Sequence, residues 1–164
     1  MSETVERFLD PDLQKILADG EKLLASAGGV VPAGRQRFND YSFIVFPFAK
    51  VYEGFLKKLF FQIGAIDEFQ FKNDRWRVGR ALNPQLEKDL RHDESVYDRI
   101  ANLCGGTTLP DDLWQAWKRG RNQLFHFFPA EYKALTFPEA KDIILEIRIV
   151  MEKALEACKI GSRD

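Results

Sequence analysis

The chain has 164 residues, 45% of them hydrophobic and 13% aromatic, and a formal net charge of −1. That length fits a single domain spanning residues 1–164, and the apolar content supports a sizeable core and excludes a disordered chain. The near-neutral charge excludes a generally basic nucleic-acid-binding domain, so any anionic ligand has to meet a local patch.

In chain order, Asp10 before Pro11 reads as an N-cap and first helical position. Leu13, Ile16, Leu17, Leu23 and Leu24 follow as an apolar stripe that stops at Gly28-Gly29, and residues 30–38 read as a loop. A second helix is expected over about 40–63. Phe43, Phe46, Val51, Phe55, Leu56, Leu59 and Phe60 make it apolar over a wide arc, hence central and buried. Pro47 should kink it or mark its true start, and Gly64 should end it. Residues 66–80 read as irregular. Over 72–80, Lys72, Arg75, Arg77 and Arg80 stand against one acid, Asp74, and form a basic cluster with Phe71 and Trp76. Such a run is either a solvated loop or a contact for an anionic substrate.

Shorter helical pieces are expected over 84–91 and 94–103, with Gly105-Gly106 ending the second. Pro110 opens a helix whose first turn carries Asp111 and Asp112, which suits the helix dipole. It continues through Trp114, Trp117, Arg121 and Leu124 towards Pro129. Thr136 and Glu139 have capping-box spacing ahead of a last helix over 137–159, with the stripe Ile143, Ile144, Ile147, Val150, Met151, Ala154 and Leu155. No strand alternation competes, so the expected fold is all-α, an antiparallel helical bundle.

No uncharged apolar run approaches about 20 residues, so no membrane span is expected. The start Met-Ser-Glu-Thr-Val-Glu lacks the basic and apolar regions of a signal peptide, which points to a cytoplasmic protein. Cys104 and Cys158 have no metal-site spacing and read as two reduced thiols, a disulfide being the less favoured alternative. No metal site and no cofactor are expected.

The candidate chemistry lies in Arg121-Asn122-Gln123-Leu124-Phe125-His126. Histidine titrates near neutral pH and can move a proton; arginine is a fixed cation whose planar fork fits a phosphate. With twelve arginines and two histidines in the chain, the spacing carries little weight alone, and Arg119 offers a rival register with the same histidine. The bland alternative is a surface arginine and a histidine packed among Phe125, Phe127 and Phe128. Against it, the stripe Trp114, Trp117, Arg121, Leu124 and Phe128 puts Arg121 on a core-facing side, where a charge needs a partner or a ligand. Asn122 and His126 are four apart and share a face. Arg121 and His126, five apart, differ by about 140° in a regular helix. Their convergence needs a distorted helix or a second subunit across a two-fold axis. On the central helix Lys50 and Glu53 also share a face. They read either as an ordinary surface pair or as a cation and carboxylate aimed at the same cleft. His92 reads as solvated, and Trp114 and Trp117 as core.

Arg121-Asn122-x-x-x-His126 resembles the arginine–histidine motif of the HEPN superfamily. There four to six residues separate the pair and a polar residue commonly follows the arginine. The segment Phe46-Pro47-x-x-Lys50-x-x-Glu53-Gly54-Phe55-Leu56-Lys57 resembles the Pro-x-x-Arg-x-x-Glu-Gly stretch of the RNase LS toxin family, whose toxin domain is HEPN. Lys50 stands where that family has arginine, keeping the charge and losing the bidentate fork. The resemblance covers about residues 40–155.

The resemblance implies a HEPN-type bundle that acts as a homodimeric, metal-independent endoribonuclease, the toxin of a toxin–antitoxin or phage-defence system. It implies Arg121, His126, Asn122, Glu53 and Lys50 as the catalytic set. Lys72, Arg75, Arg77, Arg80 and Arg119 are the candidates for holding the RNA. The rival expectation is a non-catalytic HEPN module that binds RNA, an antitoxin or a nucleotidyltransferase.

Overall fold

A computed structural model describes residues 1–28, 37–126, 129 and 134–160. Among them all regular structure is helical, as the periodicity predicts, and no helix is long and apolar enough to cross a membrane.

Four long elements build the core: α2 (Pro11–Ala27), α3 (Ser42–Gln62), α8 (Thr108–Trp117) and α9 (Phe137–Ala157). Side-chain pairs fix their directions. Lys58 pairs with Asp10, while Pro47 and Phe48 lie against Gly20, so α2 and α3 are antiparallel. The Tyr52 hydroxyl donates to the Leu113 carbonyl at 2.9 Å, and Phe46 meets Phe125 beyond the end of α8, so α3 and α8 are antiparallel. Lys153 pairs with Asp112 and Glu146 with Arg119, which sets α9 antiparallel to α8. Each long helix thus reverses the one before it. By the same logic α3 and α9 run parallel, with Tyr41 on Phe137 and Phe48 under Arg148.

The centre of the bundle is α3. Its Ile44, Phe48, Tyr52, Phe55, Leu56, Leu59 and Phe60 are fully buried, which follows from its wide apolar arc. Each such side chain contributes about 1.5–3 kcal/mol over leaving it exposed. Gly64, with φ +70°, turns the chain after α3 in the left-handed conformation that glycine adopts without strain. Pro47 does not mark the helix start. It lies in the second turn, where it removes only the bond to the Phe43 carbonyl. The capping box ahead of α9 is formed as expected: Thr136 Oγ1 accepts from the Glu139 amide at 3.3 Å, and the Glu139 carboxylate accepts from the Thr136 amide at 2.9 Å.

Other expectations need correction. A helix not anticipated, α1 (Glu3–Phe8), precedes Asp10 and buries Val5 and Phe8, the latter edge-on to Phe55 at 5.1 Å. Asp10 caps α2 without a side-chain hydrogen bond, because its carboxylate is drawn to Lys58. The stretch 66–80 is not irregular throughout: it holds α4 (Glu68–Lys72), closed by an Asp67–Gln70 capping box, and α5 (Val78–Ala81). The next pieces are α6 (Lys88–Glu94), four residues later than expected, and α7 (Val96–Leu103), where Ser95 accepts from the Asp98 amide. Pro110 is the third residue of α8, not the first. The helix through Arg121 does not run on towards Pro129; it widens into a π turn, Lys118–Asn122, and stops. Most of the loop read over 30–38, together with Phe127 and Phe128, lies outside the described residues.

Candidate functional site

On α3, Phe46, Lys50, Glu53 and Lys57 are spaced four, three and four apart, so they line one side of the helix. That side runs along two other segments. At one end Phe46 packs edge-on against Phe125, 5.4 Å between ring centres. At the other, the Lys57 ammonium lies 5.8 Å from the Trp76 ring. Glu53, half-buried between them, faces the end of α8 and the start of α5.

The end of α8 is shaped by the π turn. The Gln123 amide donates to the Lys118 carbonyl at 2.9 Å, an i→i+5 bond. Such single wide turns disturb the regular ladder at one place. Gly120 faces α9 there, so close that a Cβ would lie 2.8 Å from Ile147 Cδ1. Arg119 also turns towards α9 and pairs with Glu146. Arg121 points the other way, its guanidinium 5.3 Å over the Trp117 ring. The sequence left two ways to relieve the 140° divergence of Arg121 and His126. A distortion is present, and the helix ends at Asn122, before His126.

Arg121 and Asn122 thereby share an open pocket of about 190 Å³ with Glu53, Trp114, Trp117 and the 77–80 segment. The floor depends on Gly79. A Cβ there would lie 2.5 Å from Trp117 Nε1 and 3.0 Å from Cε2, so only glycine allows α5 to approach the indole this closely. Three arginines, Arg77, Arg80 and Arg121, line the pocket against one carboxylate, Glu53. A chain of net charge −1 thus carries a local cationic recess. The three cations differ in commitment. Arg80 is held in a fork by Glu94 at 2.6 and 3.1 Å, and Arg77 donates to the Asp74 carbonyl. Among the described residues nothing accepts a hydrogen bond from the Arg121 guanidinium, and no cation pairs with Glu53. A guanidinium resting on an indole face keeps its in-plane N–H donors for an anion.

The pocket therefore unites Glu53, Arg121, Asn122, Arg77 and Arg80 of the residues singled out by sequence. It leaves others aside. Lys50 is exposed on the same side of α3, one turn before Glu53, and does not line the pocket. His126 is exposed and also lies outside it. Lys72 pairs with Glu68 at 2.6 Å, and Arg75 is exposed. Arg119 opens onto a separate groove between α8 and α9 with Asp112 and Lys153. His92 is solvated, as expected, beside Asp93. Sequence reasoning missed Gly79 and the part Trp114 and Trp117 play as pocket walls; both tryptophans follow helical spacing, which hides a second use. Among the described residues no three of His, Cys, Asp and Glu gather into a group able to hold a metal ion.

The architecture and the recess define an all-α protein with a cationic, aromatic-walled pocket at the junction of α3, α5 and the π turn. No family model, curated protein or solved structure matches the chain at a significant level.

Proposed function

We propose that the chain is a HEPN-type, metal-independent endoribonuclease, acting as the toxin of a toxin–antitoxin or phage-defence system. The observation that carries this reading is the meeting of Glu53 from α3 with Arg121 and Asn122 of the π turn in one pocket. Those residues are 68 and 69 positions apart and belong to two separate stretches that resemble the same family. In this reading an RNA phosphate sits over Arg121, with Arg77 extending the cationic wall. The 2′-hydroxyl attacks the adjacent phosphorus, the 5′-oxygen leaves, and a 2′,3′-cyclic phosphate results. Arg121 stabilises charge on the phosphorane oxygens. Glu53 and Asn122 orient the guanidinium and the phosphate.

His126 moves the protons, a contribution of roughly 10²–10⁴-fold. Because it is exposed and outside the pocket of its own chain, the reading assigns it to a composite site, the His126 of one copy reaching the recess of a second. Lys50, on the open side of α3, contacts the backbone of the bound strand.

The test is cleavage of a mixed RNA in EDTA by wild type, Arg121→Ala, His126→Ala and Glu53→Gln. Losses of at least a hundredfold for the first two variants are expected, and equal activity in all four proteins would sink the assignment. The exposed position of His126 equally favours a second reading, a non-catalytic module that binds RNA or a protein partner through the recess. Induction in cells separates the two. A nuclease toxin arrests growth and loses the effect with His126→Ala, whereas a binding module leaves growth unchanged.

A further inference from the structure

The only two cysteines of the chain meet although 54 positions separate them: Cys104 Sγ and Cys158 Sγ are 3.0 Å apart. Each follows the last residue of a helix, Cys104 after α7 and Cys158 after α9. The backbone beside each takes a positive φ, at Gly105 (+83°) and at Lys159 (+54°). A non-glycine residue rarely adopts that conformation, and at Lys159 it closes the end of α9, with the Ile160 amide donating to the Leu155 carbonyl at 3.0 Å. The sulfurs are half-buried at the edge of a cleft of about 600 Å³ walled by Gln62, Ile63, Leu103 and Lys159, which gives a small molecule access to them. A disulfide needs the sulfurs about 1 Å closer, a shift within side-chain torsional freedom.

We infer that Cys104 and Cys158 form a reversible dithiol–disulfide site, closed by a low-molecular-weight disulfide that enters this cleft. Burial and the neighbouring Cys104 push the Cys158 thiol up to about 12; whichever thiol of the pair is captured first, the other lies 3.0 Å away to resolve it. One sulfur of the pair gives up its proton to water and attacks one sulfur of the small disulfide, forming a mixed disulfide and expelling one small thiolate, which takes up a proton. The other protein sulfur then attacks the captured one, loses its proton to water and expels the second small molecule as a thiolate, which takes up a proton. Two protein thiols are oxidised and one small disulfide is reduced to two thiols. The closed bond ties α7 to the end of α9 and encloses the whole 104–158 segment, which carries the π turn.

The experiment treats the native, full chain with oxidised glutathione and reads intact mass, free thiols and melting temperature, before and after dithiothreitol. A mass lower by two hydrogens, a thiol count falling from two to none and a rise in Tm of roughly 5–15 °C, all reversed by reductant, are expected. Cys158→Ser should instead retain one glutathione on Cys104. A retained glutathione on the wild-type chain, a disulfide between two copies, or thiols that react only after unfolding would each overturn the proposal.

Discussion

Replacing Gly79 by alanine tests how the pocket is built. The added Cβ would lie 2.5 Å from Trp117 Nε1 and 3.0 Å from Cε2. A normal contact is nearer 3.5–4 Å, so ring and backbone must separate by about 1 Å. The indole is rigid and 4% exposed, wedged into the core, so it cannot swing aside as a long flexible chain would. Overpacking of this kind costs typically 1–3 kcal/mol. Alanine returns up to about 1 kcal/mol because it fits helical backbone better than glycine. With the full return, the net expectation is a loss of up to about 2 kcal/mol, which for a domain of this size lowers Tm by up to roughly 6 °C. Thermal and urea unfolding followed by circular dichroism give both numbers. A Gly79→Ala protein more stable than wild type would refute the idea that the α5–Trp117 approach is tight.

Three further outcomes follow. Tyr52→Phe removes a fully buried hydroxyl and its hydrogen bond to the Leu113 carbonyl, so urea unfolding should show a loss of about 0.5–1.5 kcal/mol. The Arg91 fork holds the Asp98 carboxyl below its ordinary value of 3.8. A depressed carboxyl stabilises the fold above its unfolded pKa and loses that effect as pH falls through the folded one. The stability gap between wild type and Asp98→Asn should therefore be constant above about pH 5 and close below pH 4 in denaturant titrations. Arg119→Ala should keep RNA cleavage within a fewfold of wild type while Arg121→Ala abolishes it, since only Arg121 lines the recess with Glu53. The reverse pattern would make Arg119 the motif arginine.

Local rules carried much of the fold. The last helix was legible from its capping box and stripe, both set by residues within a turn or two of each other. The central helix was legible from its excess of apolar side chains. The π turn was not: no local pattern announces it, and the contacts found there, Gly120 against Ile147 and Arg119 with Glu146, are made to α9. For α1 the difficulty was brevity, since two buried side chains in six residues give no stripe to count. The side of α3 bearing Phe46, Lys50, Glu53 and Lys57 could be drawn from helical spacing. Its opposite wall could not, because α5 reaches Trp117 only through the tertiary approach at Gly79. The basic cluster was visible as composition, yet only the structure separates Arg77 and Arg80, which enter the pocket, from Lys72 and Arg75, which do not.

The stacking of Arg121 on Trp117 has a practical consequence. The chain has three tryptophans: Trp114 and Trp117 wall the recess, and Trp76 lies under Lys57 at the end of the same strip. All of the intrinsic indole emission therefore originates along one side of α3. An anion that draws the Arg121 guanidinium off the indole changes the field around that fluorophore directly. Occupancy of the recess can thus be followed in the unlabelled protein, by titration at a single emission wavelength, before any substrate has been identified.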